Sequence, residues 1–139
     1  MSFLKHLFEP KKIKTGIIFI VEDNTMYAKT LAAFIKQSFP QIKEVRLFPV
    51  GETCVTELDA HPDLIIIDYF LDTRYTDAEN GLEIAKQIRA EHPEINILIL
   101  SSQNDMKIAL ETITTYKCSY IQKDEKAFER VKEVISEVI

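Results

Sequence analysis

Four short strand-like stretches of this 139-residue chain run directly into residues that can handle a divalent metal ion or a phosphoryl group. Glu22 and Asp23 follow residues 17–21, Asp68 closes 64–68, Ser101 and Ser102 follow 95–100, and Lys123 follows 119–122. Two carboxylates about 4 Å apart repel by roughly 4 kcal/mol at an effective dielectric near 20, so Glu22, Asp23 and Asp68 could share a site only beside a cation. With oxygen ligands and no His or Cys nearby, the ion is a hard one, and a site completed by water and phosphate oxygens suits Mg2+ better than Ca2+. A carboxylate such as Asp68 can attack phosphorus. Lys123 would then neutralise the phosphoryl oxygens while Ser101 donates to one of them. A single acid at a strand end is more often a cap or a solvated loop residue, the reading given to Asn24 and Asp105. It is the convergence of the set that points to chemistry.

The elements that must bring these residues together are legible as an alternation of short aliphatic runs and helical patterns. Residues 17–21 are apolar on both faces, as a strand inside a parallel sheet is. A helix follows with Leu31, Phe34 and Ile35 on one face, capped by Asn24 or Thr25 and stopped by Pro40. Further strands are predicted at 45–48, 64–68, 95–100 and 119–122, and further helices at 52–58, from Gly81 to His92-Pro93, at 105–116 and at 125–139. Five β-α units imply an α/β fold with a parallel sheet covered on both faces. In such sheets reactive groups collect at the carboxyl ends of the strands.

Composition narrows the function classes. Hydrophobic residues make up 46% and charged ones 28%, enough apolar material for one domain with a real core. The net charge of −5 supplies no general attraction to nucleic acid or to anionic membrane. Three glycines are too few for a phosphate-cradling loop. No apolar run reaches the roughly 20 residues of a membrane helix, and the first residues do not read as a secretory signal. Cys54 and Cys118 lack metal or redox spacing and read as reduced packing residues, in keeping with a cytoplasmic address. Residues 1–14, with Lys5, Lys11, Lys12 and Lys14 against Glu9, read as a basic leader outside a domain spanning 15–139. Its Leu4, Leu7 and Phe8 share helical spacing, although a frayed terminus explains the segment as well.

From residue 15 onward the chain resembles the receiver domain of two-component response regulators. The resemblance rests on Glu22-Asp23, Asp68 after an Ile-rich strand, Gly81 opening the third helix, Ser101-Ser102 after strand four, and Tyr120 with Lys123 on strand five. It implies a doubly wound, flavodoxin-like (βα)5 sandwich with strand order 2-1-3-4-5. It also implies that Asp68 takes a phosphoryl group from a phosphohistidine on a histidine kinase or phosphotransfer protein, the domain catalysing only its own phosphorylation and dephosphorylation. Asp23, Asp68 and the backbone carbonyl of Phe70 would bind Mg2+, Glu22 acting mostly through a bound water. Lys123 and Ser101 would hold the phosphoryl oxygens. Movement of Ser101 and inward rotation of Tyr120 would reshape the face of helix four, strand five and helix five, where a downstream protein docks. A second copy of the chain remains an open partner. Phe70 and Gln103 occupy positions that tune phosphate lifetime in the family, and an apolar Phe70 predicts a long-lived phosphoform.

Some features depart from the family pattern. Glu22 and Ser101 keep the functional groups of the commoner Asp and Thr. Asp124 stands where a proline, often cis, is usual, and is expected to give a trans bond and cap helix five. The segment 69–80 is longer than usual, and its Asp72, Asp77, Glu79 and Arg74 are given no metal role. One alternative is a degenerate receiver used only as a phosphorylation-independent binding module. Another, an aspartyl-phosphate hydrolase, lacks the second acid two residues after Asp68. The sequence ends with helix five, so the expectation is a stand-alone receiver or a segment of a longer chain.

Overall fold

The computed structural model describes residues 13–71, 80–102 and 105–139. The elements are β1 (Ile17–Val21), α1 (Thr25–Ser38), β2 (Glu44–Phe48), α2 (Gly51–Val55), a 3-10 turn (Leu58–Ala60), β3 (Leu64–Asp68), α3 (Gly81–Glu91), β4 (Asn96–Ser101), α4 (Met106–Thr114), β5 (Ser119–Gln122) and α5 (Ala127–Val138). The five strands are all parallel, in the order β2-β1-β3-β4-β5. Strand order therefore reverses between β1 and β3, and that is where an open parallel sheet leaves a crevice at its carboxyl edge.

Period-two alternation in doubly buried strands feeds two cores. Ile18, Ile20, Leu64, Ile66, Leu98 and Leu100 pack against Leu31 and Ile35 of α1 and Val131 and Ile135 of α5. Phe19, Val21, Ile65, Ile67, Ile97 and Ile99 pack on the other face against Cys54 of α2 and Ile84, Ala85 and Ile88 of α3. The helices start where short polar side chains accept from otherwise unpaired amides. Asn24 accepts from Tyr27 N, Asn80 from Glu83 N, and Asp105 from Lys107 N and Ile108 N.

Several boundaries differ from the sequence expectation, most by a residue or two. The predicted helix at 52–58 is a single turn followed by a 3-10 turn. There the hydroxyls of Thr53 and Thr56 donate back to the carbonyls of Val50 and Thr53, competing with the helical ladder. Strand four starts at Asn96, because Ile95 N is used in a turn with His92 O. Asp124 does not cap α5: the N-cap position is Lys126, without a side-chain cap, and Asp124, two residues earlier, accepts from Lys126 N at 2.9 Å. No cis peptide bond occurs among the described residues.

Cys54 and Cys118 are free, buried thiols, and burial pushes both up, Cys54 to about 12. Of the leader, Lys14 reaches the domain, its Nζ donating to Val138 O at 2.7 Å. The rest of the leader up to residue 12, His6 included, lies outside the described residues, as do 72–79 and Gln103.

Candidate phosphoacceptor site

Backbone hydrogen bonds between adjacent strands fix where each reactive residue leaves the sheet. Glu22 N donates to Phe48 O (3.0 Å), Tyr69 N to Leu100 O (2.7 Å) and Lys123 N to Ser101 O (2.7 Å), so the end of β1 is tied to that of β2, and the ends of β3, β4 and β5 to one another, while the ladder joins β1 to β3. Asp68 pairs with Leu100 and Ser101 with Gln122 in the ladders. Asp68 and Ser101, predicted from sequence as members of one site, thus emerge on the same rim as Glu22, Asp23 and Lys123.

Glu22, Asp68 and Ser101 are buried, at 4%, 5% and 1% exposure. Carboxylate oxygens of Glu22, Asp23 and Asp68 lie within 4.8 Å of one another. Lys123 Nζ forms a short ion pair with Glu22 Oε1 and lies 3.5 Å from Asp68 Oδ2. Glu22 Oε2 accepts from Asn24 N at 3.2 Å, and Asp68 Oδ1 from Phe70 N at 3.3 Å. Burial pushes the Glu22 carboxyl above its ordinary range and Asp68 adds to that shift, against the opposing pull of Lys123. One ammonium does not balance three acids. An all-oxygen, acid-rich donor set of this kind fits a hard divalent cation such as Mg2+.

The backbone around Asp68 is held from the other side by Gly81, whose amide donates to Tyr69 O at 2.9 Å. A Cβ at Gly81 would lie 2.2 Å from the Asp68 carbonyl oxygen. Only glycine permits α3 to start this close. Phe70, proposed from sequence as a ligand through its carbonyl, is 39% exposed beside the cluster, its ring edge-on to Tyr69 at 4.8 Å. Tyr120 is half-buried against the core on the α3 side.

The sequence reading missed Tyr27. Its ring lies under Lys123 Nζ, 4.2 Å from the centroid. Its hydroxyl is pushed up to about 12, chiefly by burial and then by Glu22, Asp68 and Asp124. Tyr27 stands four residues before Leu31, on the same inward stripe of α1, and that spacing was the available signal.

Residues 18–135 match the family profile of the response regulator receiver domain. Among curated proteins, the transcriptional regulatory protein MalR of Bacillus subtilis is 24% identical over 124 residues, covering 86% of this chain and 48% of that protein. A probable C4-dicarboxylate response regulator, DctR, of Halalkalibacterium halodurans is 25% identical over 122 residues, covering 86% and 50%. The chain spans about half the length of these curated relatives. Among solved structures, the signal receiver domain of a LuxO repressor protein from Vibrio parahaemolyticus superposes with a TM-score of 0.73 at 19% identity, covering 87% of both chains. The response regulator TrrA of Thermotoga maritima, solved with Mg2+ and beryllium fluoride, gives 0.69 at 19% identity, covering 91% of this chain and all of that one. Among the described residues no helix is long and apolar enough to cross a membrane. With its family profile, strand order and acidic rim in agreement, the chain belongs to the response regulator receiver domains, the signalling modules of two-component systems.

Proposed function

We propose that the domain is a phosphorylation-driven switch whose acceptor is Asp68. The observation that carries this reading is a buried Asp68 carboxylate facing Lys123 Nζ at 3.5 Å, with oxygens of Glu22 and Asp23 within 4.8 Å. Glu22, Asp23, Asp68 and the Phe70 carbonyl would hold Mg2+, which supplies charge neutralisation for the crowded carboxylates and the incoming phosphoryl oxygens. An Asp68 oxygen forms the new P–O bond while the P–N bond of a phosphohistidine on a kinase or phosphotransfer protein breaks, its electron pair returning to the imidazole. Lys123 and Ser101 would hold the phosphoryl oxygens, a reading supported by the main-chain bond from Lys123 N to Ser101 O, which keeps their strand ends adjacent.

Ser101 and Tyr120 then carry the change to the face formed by α4, β5 and α5. Exposed Met106, Leu110 and Ile113, at i, i+4 and i+7 along α4, give that face apolar anchors for a downstream protein. Phe70 offers no polar group to orient an attacking water, so the phosphoform is long-lived, with hydrolysis slower than minutes in the absence of a phosphatase.

Incubation with phosphoramidate and Mg2+ tests the reading. Intact-mass measurement should show one added, acid-labile phosphate on the wild-type chain and none on Asp68→Asn. Failure of the wild type to take phosphate from either phosphoramidate or acetyl phosphate would favour the binding-module alternative.

A further inference from the structure

Lys123 Nζ has neighbours of two kinds. Two are carboxylates, Glu22 and Asp68, and the third is the neutral face of Tyr27 at 4.2 Å. The carboxylates are the groups that would also hold a divalent cation, so their attraction for the ammonium is shared once a cation is present. The aromatic face is not shared. It draws an ammonium through its quadrupole, offers no ligand to a hard metal, and gains strength where water is excluded. Lys123 is such a case, with its side chain 15% exposed.

The ring is also well placed to hold still. Tyr27 sits in the first turn of α1, where its amide donates to the capping Asn24 Oδ1 at 3.1 Å. Behind it, Phe128 of α5 meets the ring edge-on at 5.6 Å and 75°. Phe128 is in turn braced by Phe34 of α1 at 5.2 Å. Edge-on and tilted aromatic pairs at these separations are favourable arrangements that restrict ring rotation.

We propose that Tyr27 is a positioning residue for phosphoryl transfer: its ring, fixed by Phe128, keeps the Lys123 ammonium beside Asp68 when the carboxylates are engaged by a cation. The inference rests on the phosphoacceptor reading. The role belongs to the ring face and not to the hydroxyl, so phenylalanine suffices at position 27 and leucine, apolar but without a π-face, does not.

The test joins a spectroscopic and a kinetic measurement on the full chain. In the wild type and in Tyr27→Phe, the Lys123 ε-methylene protons should be shifted upfield by the ring current, with and without Mg2+, and Tyr27→Leu should lose that shift. With phosphoramidate and Mg2+, Tyr27→Leu should be phosphorylated about three- to tenfold more slowly, and Tyr27→Phe within about twofold of the wild type. An ordinary Lys123 shift in the wild type overturns the inference even if Tyr27→Leu does not fold. A folded Tyr27→Leu that takes phosphate at the wild-type rate overturns it as well. Both outcomes differ from absence of phosphate uptake by the wild type, which would remove the phosphoacceptor reading and leave Tyr27 no transfer to serve.

Discussion

Asp63 and Asp68 sit five residues apart at opposite ends of β3, both nearly inaccessible to water, and their surroundings have little else in common. Asp63 is saturated by neutral donors: Oδ1 accepts from Thr15 N at 3.0 Å and Thr15 Oγ1 at 3.3 Å, and Oδ2 from Gly16 N at 2.8 Å. Its backbone is equally occupied, the amide donating to Ile17 O and the carbonyl accepting from Asn96 Nδ2. Asp68 has longer contacts, to Phe70 N at 3.3 Å and Lys123 Nζ at 3.5 Å, and two further carboxylates for company. Burial alone therefore does not separate an acid that holds the fold together from one in a crowded acidic cluster. The donor set does: Asp63 has short bonds to neutral backbone amides, whereas Asp68 has longer contacts and like charges beside it.

Substitutions at the two ends should separate stability from chemistry. The largest effect is the complete loss of phosphate uptake in Asp68→Asn, accompanied by unchanged or raised thermal stability, because a crowded charge is removed. Asp63→Ala should do the reverse, lowering unfolding free energy by about 3 kcal/mol in a urea titration as the Thr15 and Gly16 amides lose their acceptor, while the folded fraction still takes phosphate. Equal damage to both properties in either variant would erase the contrast. Gly81→Ala should cost about 2 kcal/mol, since its Cβ must displace the Asp68 carbonyl, and should also slow phosphate uptake.

The smallest effect concerns Glu22. Its folded carboxyl titrates above its unfolded value, so the folded state holds the extra proton and this group's contribution favours folding as pH falls toward the ordinary carboxylate range. That contribution is lost as pH rises through the folded value. The metal-free wild type should therefore show a downward slope of stability with rising pH just above the usual carboxylate range, and Glu22→Gln should lack it. At neutral pH the same variant should be more stable by about 1 kcal/mol in thermal melts without metal, and should bind Mg2+ more weakly in calorimetry.

The strand ends were readable because in doubly buried strands the first polar residue after the aliphatic run marks the rim, as Glu22 and Asp68 do. Caps at Asn24 and Asp105 were readable for a similarly local reason, a short side chain just before a helical stripe. What escaped was set by partners distant in sequence or by competing local bonds. Tyr27 gained its neighbour from a lysine on the far side of the sheet order, and residues 52–58 lost helical length to threonine hydroxyls. Asp124 had the right chemistry for a cap but stands two residues before the N-cap position. Likewise, the pairing of Lys123 with Glu22 has no trace in spacing, since nearly the whole domain separates the two residues.

The missing side chain at Gly81 has a mechanical consequence. Wherever two elements meet through side chains, rotamer changes absorb part of any relative movement. The start of α3 rests directly on the peptide group of Asp68, with no rotatable group between them. Contact of this kind ties the start of α3 to the backbone of Asp68 more directly than a side-chain contact would, so the two are expected to shift together.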